Sequence, residues 1–149
     1  MNWNVITPPL ITITTGVAVF VIGQVILECY VKPLQEYHKI KAEVSYLLVL
    51  YANVFMNPEI IGVNKKFEFT LEENERRKKA GNELREAAAI LVGFKQQKPF
   101  FVRKDNVEKA SSGLMGLSNG LYVSARNEDK RIEQNGIFAQ EIKEALHLK

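Results

Sequence analysis

The chain has 149 residues and a formal net charge of +3, from 20 lysines and arginines against 17 aspartates and glutamates. This small excess argues against nucleic acid as a partner, because nucleic-acid binding calls for a strongly basic surface. A single cysteine, Cys29, excludes an internal disulfide and agrees with a reducing compartment. The length suits an anchor and one compact domain, which the sequence predicts at residues 1–31 and 32–149.

The first part has the composition of a transmembrane helix. Residues 1–27 contain no acidic or basic side chain, and the apolar run from Leu10 to Tyr30 is 21 residues long. About 20 helical residues cross the hydrocarbon core of a bilayer. Thr7 is the expected helix cap, with Pro8 in the first turn, where a missing N–H costs nothing.

The distribution of basic residues predicts the orientation of this helix. All 20 lysines and arginines lie at or after Lys32, and none precedes the span. The positive-inside rule therefore places the N-terminus outside and the C-terminal domain in the cytoplasm, at the cytoplasmic (inner) membrane. A cleaved signal peptide is the alternative, but it needs a basic start that residues 1–9 lack.

Small and polar residues in the span suggest self-association. Thr12, Gly16 and Gly23 fall on one helical stripe, and Gln24 lies beside it. Small residues allow close helix approach, and an amide can bond across the contact, so we expect a homo-oligomer. The alternative is a lone helix that merely tolerates glycine. Glu28 is predicted to pair with Lys32, four residues on.

The second part is predicted to be an all-α, antiparallel bundle of about four amphipathic helices. The first helix follows Pro33 and ends at Asn57-Pro58, and residues 58–69 read as a loop. The second starts at a Thr70–Glu73 capping box and stops at Gly93. The apolar stripes of these two helices are Leu34, Tyr37, Ile40, Val44, Leu47, Leu48, Tyr51, Phe55, and then Leu71, Ala80, Leu84, Ala87, Ala88, Leu91.

Two further helices complete the predicted bundle. Asp105 and Glu108 resemble a capping box at the start of the third helix, and a polar break at residues 127–129 precedes the fourth. Their apolar positions are Val107, Ala110, Leu114, Leu117, Leu121, and then Ile132, Phe138, Ile142, Leu146. Asn53, Arg85 and Asn119 lie in or beside apolar stripes, where they are expected at the rim or in a small polar network that holds the register.

No complete catalytic or cofactor motif is present. Neither a phosphate-binding Walker loop nor a nucleophile elbow occurs, so we expect no enzyme, no catalytic residue and no cofactor. A metal site is also not expected. Glu144 and His147 give one Glu-x-x-His pair, whereas a di-iron bundle needs two, and this pair lies near a terminus expected to fray.

The strongest charge feature is Glu75-Arg76-Arg77-Lys78-Lys79. Consecutive helical positions wrap around the axis, which favours a solvated surface. The alternative is a surface for lipid headgroups formed by Lys32, Arg76, Arg77, Lys78 and Lys79.

Several short motifs follow one another along the chain: Gly23-Gln24, Pro33-Leu34-Gln35-Glu36, Leu50-Tyr51-Ala52-Asn53-Val54, Leu84-Arg85-Glu86-Ala87-Ala88 and Gly116-Leu117-Ser118-Asn119. In this order they resemble a family of small bacterial membrane-anchored proteins of unknown function. The resemblance covers most of residues 20–121 and implies a bacterial cytoplasmic-membrane protein, without any activity or site residue.

The sequence thus predicts a membrane-anchored, non-enzymatic interaction or scaffold protein, which contacts membrane lipid, self-associates and presents a bundle to a protein partner. The alternative is a membrane-perturbing effector or oligomeric channel, because Thr12, Thr14, Thr15 and Gln24 give the span a modestly polar side. Dye leakage on expression would separate the two.

Overall fold

The structure is a computed structural model that describes residues 3–61, 71–97, 102–124 and 128–148. These residues are mostly helical, and they divide into an N-terminal unit, Met1–Tyr37, and a C-terminal unit, His38–Lys149. The elements in chain order are α1 (Trp3–Ile26), a π-helical turn (Leu27–Val31), α2 (Lys32–Leu50), α3 (Ala52–Met56), β1 (Glu59–Ile61), α4 (Leu71–Gln96), α5 (Lys104–Asn119), β2 (Tyr122–Ser124) and α6 (Glu128–Leu146).

Within the described ranges, one helix is long and apolar enough to cross a membrane, and its apolar window lies near the N-terminus. None of that window is buried within the protein, unlike the core helix of a globular domain. The helix begins at Trp3, so Thr7 lies in its second turn and the predicted cap at Thr7 is wrong.

A π-helical turn precedes Pro33. The N–H of Lys32 bonds to the carbonyl of Leu27, five residues back. Pro33 has no N–H and its ring crowds the preceding turn, and widened turns are a common way for a helix to accommodate such a residue. This turn lies just before the point at which the sequence predicted the first helix of the bundle to begin.

The apolar stripe of α2 is buried from Ile40 onwards, through Val44, Leu47 and Leu48. Leu34, predicted on the same stripe, is 42% exposed, so that part of the prediction is wrong. The helix stops earlier than the sequence suggested, because Tyr51 leaves the helical conformation at φ −105° and ψ 11°. A short helix, α3, then ends before Asn57, as predicted.

The buried side of α4 follows a heptad-like spacing of three and four residues. Arg77, Ala80, Leu84, Ala87, Leu91 and Phe94 are each at most 7% exposed. Leu71, predicted on this stripe, is 79% exposed, so that prediction is wrong. The predicted stop at Gly93 is wrong as well, since the helix continues to Gln96 and so brings Phe94 into the core.

The helices α4 and α5 run in opposite directions. The hydroxyl of Ser118 donates to the carbonyl of Gly81 at 2.9 Å, and that of Ser111 donates to Ala88 at 3.4 Å. The order of contacts is thus reversed along the two helices. The predicted apolar stripe of α5 is confirmed, with every member at most 1% exposed: Val107, Ala110, Leu114, Leu117 and Leu121.

Close packing of α5 against α6 depends on two glycines. A Cβ at Gly113 would lie 2.7 Å from Ile142, and a Cβ at Gly116 would lie 2.6 Å from the ring of Phe138. These pairs again run in reversed order, so α5 and α6 are antiparallel. A side chain at either glycine would force the helices apart.

Two departures from prediction lie at element boundaries. Glu59–Ile61, predicted as loop, pair in parallel with Tyr122–Ser124. The helix α5 has Arg103 at its N-cap without a side-chain cap bond, so the expected Asp105–Glu108 capping box is wrong. Glu108 instead pairs with Lys95 on α4, at 2.5 Å. The predicted capping residue Thr70 lies outside the described residues.

Candidate interaction surfaces

The residues expected to mediate self-association lie on an exposed helix. Gly16, Gly23 and Gln24 are exposed, and a Cβ placed on either glycine would meet nothing within 4 Å. Thr12 is exposed too, and it makes a polar contact of its own. The four residues therefore share a helix whose surface is open along its described length.

Large apolar side chains surround this stripe. Every one from Ile11 to Ile26 is between 50% and 65% exposed. At roughly 25 cal/mol per Å², such a surface is costly to leave in water. The predicted pair at the end of the span is confirmed, since Lys32 Nζ lies 2.5 Å from Glu28 Oε1.

The charged run on α4 divides into exposed and buried members. Arg76, Lys78 and Lys79 are exposed, and Lys79 Nζ lies 3.8 Å from Glu83. Arg77 is only 7% exposed. It occupies a core position because it precedes Ala80 by three residues, so Arg77 does not belong to a headgroup surface formed by its neighbours.

Polar side chains from two other helices converge on α3. Arg77 of α4 donates to the carbonyl of Asn57 at 2.7 Å. The Nδ2 of Asn135, on α6, donates to the carbonyls of Phe55 at 2.6 Å and Gly120 at 3.1 Å. These carbonyls lie at helix ends, where no backbone partner remains. The amide of Asn135 therefore joins α3, α5 and α6.

Tyr51 is fixed at the junction of α2 and α3. Its hydroxyl donates to Glu83 Oε2 at 2.9 Å, and the residue is 3% exposed. Burial, together with the hydrogen bond and the negative charge of Glu83, raises the pKa of Tyr51 to about 12. The phenol therefore stays protonated and acts as a structural donor.

The polar network that the sequence suggested is located elsewhere. Arg85 donates to Asn119 at 3.4 Å, but both side chains are exposed, as is Asn53. These three residues lie at the rim, which was one of the two expectations. Asn135, with 0% exposure, is the buried amide that sequence reasoning missed, although it lies three residues from both Ile132 and Phe138 of the predicted apolar stripe.

An apolar face remains uncovered on α2 within the C-terminal unit. Val49 is 76% exposed, Tyr46 is 61% exposed and Leu50 is 37% exposed. They occupy one side of the helix, because residues three and four apart are neighbours on its surface. Uncovered apolar side chains that adjoin one another are typical of interaction surfaces.

A cleft of about 210 Å³ runs beside this face. Its walls are Ser45, Leu48, Val49, Ala52, Lys143 and Leu148. Such a volume is below that of ordinary ligand pockets, and it suits one large side chain. Among the described residues, Lys143 forms no ion pair, so the cleft has an uncompensated positive charge at its edge.

The end of α6 builds one wall of the cleft. The N–H of Leu148 bonds to the carbonyl of Lys143 at 2.8 Å, and that of His147 bonds to Glu144 at 3.2 Å. His147 has a φ of 51°, the left-handed conformation of a Schellman turn. This turn folds Leu148 back beside Lys143, so the segment forms an ordered cap where fraying was expected.

Among the described residues, no three His, Cys, Asp or Glu side chains form a group that could hold a metal ion. No family model, curated protein or solved structure matches the chain. The resemblance to small bacterial membrane-anchored proteins therefore depends on the motifs themselves, and the exposed α1, the open face of α2 and its cleft are the features from which a function is inferred.

Proposed function

We propose that this chain is a single-pass protein of the cytoplasmic membrane, and that it acts as a non-enzymatic interaction or scaffold protein. The observation that carries the proposal is the uniform exposure of α1, whose large apolar side chains from Ile11 to Ile26 are at least 50% exposed. Lipid satisfies such a surface, and the helix satisfies its own backbone hydrogen bonds within the bilayer.

The orientation follows from charge. No basic residue precedes the span and Lys32 follows it directly, so the N-terminus lies outside and the C-terminal unit lies in the cytoplasm. Exposed Lys32 then sits where anionic headgroups attract cations, at about 1 kcal/mol for each base. Arg76, Lys78 and Lys79 are the exposed members of the α4 run that could act in the same way.

Self-association through the span is the second element of the proposal. The open space around Gly16 and Gly23 supports it, because a second helix can approach closely there. Gln24 would then bond across the contact instead of facing lipid. The assembled protein would present its C-terminal unit to a protein partner.

Cys29 allows a direct test, since it is exposed and lies just beyond the apolar stretch. In native membranes, mild oxidation of the full-length protein should give a disulfide-linked dimer. Changing Gly16 and Gly23 together to Leu should remove it. Changing Ala18 and Val25 together to Leu, on the opposite side of the helix, is the matched control and should leave the dimer unchanged.

Two results would overturn the proposal. Recovery of the protein in the supernatant after ultracentrifugation, without detergent, would show that α1 is not in a membrane. Digestion of a C-terminal tag by protease added to intact spheroplasts would reverse the orientation. Dye leakage on expression would favour the membrane-perturbing effector or channel, whereas intact membranes support a scaffold.

A further inference from the structure

The open face of α2, formed by Tyr46, Val49 and Leu50, lies beside the cleft of about 210 Å³. We propose that a second copy of this chain occupies this surface: Tyr46 of each copy enters the cleft of the other, and Glu43 of each copy pairs with Lys143 of the other. This inference rests on the proposed membrane anchoring, which holds two copies side by side in one bilayer.

Helical geometry places the cleft and the protruding residues on opposite flanks of α2. At about 100° per residue, the cleft residues Ser45 and Leu48 lie roughly 40° and 100° to one side of Val49. Tyr46 and Glu43 lie about 60° and 120° to the other side. The most exposed residue, Val49, thus lies at the centre of the face. The cleft lies on one flank of it, and Tyr46, the side chain that would fill a cleft, lies on the other.

Two-fold symmetry brings these unlike flanks together. In a parallel pair of helices, the right flank of one helix faces the left flank of the other, as the e and g positions do in a coiled coil. Tyr46 of one copy then lies against the cleft of the second copy. Tyr46 and the cleft lie at nearly the same height along the helix axis, since Tyr46 directly follows the cleft residue Ser45.

Charge is complementary in the same arrangement. Lys143 stands at the cleft, and Glu43 is exposed on the opposite flank, two residues and about 3 Å along the axis from Ser45. Among the described residues, neither Glu43 nor Lys143 forms an ion pair within its own chain. The two-fold axis generates two such pairs for each dimer, which selects the parallel arrangement.

The test uses full-length protein in native membranes, with Cys29→Ser and Val49→Cys. Oxidation should trap a dimer through position 49. A cysteine at Met115, exposed on α5, is the control and should give none. Either Glu43→Lys or Lys143→Glu alone removes both symmetry-related pairs. Each change should reduce the crosslinked fraction about fivefold, since exposed ion pairs contribute about 0.5 kcal/mol each.

The decisive variant combines Glu43→Lys with Lys143→Glu and should restore the crosslink. Failure of the double swap to recover, with helical content unchanged by circular dichroism, would overturn the charge pairing and with it the proposal. Ala52→Phe fills the cleft and should remove the crosslink, since Tyr46 could no longer enter. An undiminished crosslink in that variant would also contradict the proposal.

The outcome is separable from that of the proposed function. If native Cys29 gives a crosslinked dimer and a cysteine at position 49 gives none, the contact in the span is retained and the contact through α2 is rejected. Absence of both would reject self-association altogether. A crosslink at position 49 that survives Gly16→Leu and Gly23→Leu would show that the α2 contact holds by itself.

Discussion

The glycines of α1 and those of α5 differ in what surrounds them. The space beside Gly113 and Gly116 of α5 is occupied by α6. Cβ atoms added at these two glycines would come within 2.6–2.7 Å of Ile142 and Phe138. Gly16 and Gly23 of α1 meet nothing within 4 Å. Glycine therefore marks close helix approach in one unit, where the partner belongs to the same chain, and an open surface in the other.

This contrast has an energetic side. The core residues of α5 are at most 1% exposed, whereas the large apolar residues of α1 are at least 50% exposed from Ile11 to Ile26. Packing within the chain stabilises the C-terminal unit, and the surroundings must stabilise α1. Substitutions in the core of the C-terminal unit should therefore change its free energy of unfolding. Substitutions in α1 should leave that free energy unchanged.

The largest expected effect breaks the α5–α6 packing. Gly116→Leu should destabilise the C-terminal unit by about 3 kcal/mol, because its side chain would overlap the ring of Phe138. Urea unfolding in detergent micelles, followed by circular dichroism, measures the loss. Gly16→Leu should leave this transition unchanged. Gly136→Leu, whose Cβ meets nothing within 4 Å, should not weaken it, because leucine is a better helix former than glycine. Equal losses in all three would refute the contrast.

At neutral pH, the buried guanidinium of Arg77 should have the next largest effect on the free energy of unfolding. Arg77→Met keeps an apolar stem but leaves the carbonyl of Asn57 without its donor, at a cost of about 2 kcal/mol. Arg76→Met, one residue away and exposed, should change stability by less than about 0.5 kcal/mol. Similar values for the two variants would mean that Arg77 is not held inside the unit.

Tyr51 should make the free energy of unfolding of the C-terminal unit depend on pH in the alkaline range. Its folded-state pKa of about 12 exceeds the ordinary value of 10.0, so the folded form retains the proton longer. The contribution of the Tyr51 phenol to the free energy of unfolding is complete below pH 10.0. It falls by about 1.4 kcal/mol per pH unit until the pH reaches about 12. Tyr51→Phe should lack this fall, and parallel curves for the two proteins would contradict the assignment.

The smallest effect concerns the turn that builds the cleft. His147→Gly should stabilise the C-terminal unit by about 1 kcal/mol, since glycine adopts a φ of 51° without strain. The matched change His38→Gly, in regular helix, should destabilise instead. Destabilisation by both changes would argue against the left-handed turn at His147.

Local pattern alone determined a large part of this protein. An uncharged run of bilayer length predicted the exposed α1, because helix length and charge content are properties of consecutive residues. The stripes of α2 and α5 followed from helical periodicity, which depends only on spacing. The Glu28–Lys32 pair followed from the same geometry.

Tertiary structure decided what the same patterns could not. Arg77 is buried despite its basic neighbours because it shares a face with Ala80 and has carbonyls of α3 within reach. The backbone of α4 passes Gly93 because Phe94 gains a place in the core. Spacing encodes which residues share a face, but the neighbour that each face meets depends on how the helices assemble, and the cleft beside α2 exists only once the end of α6 is packed.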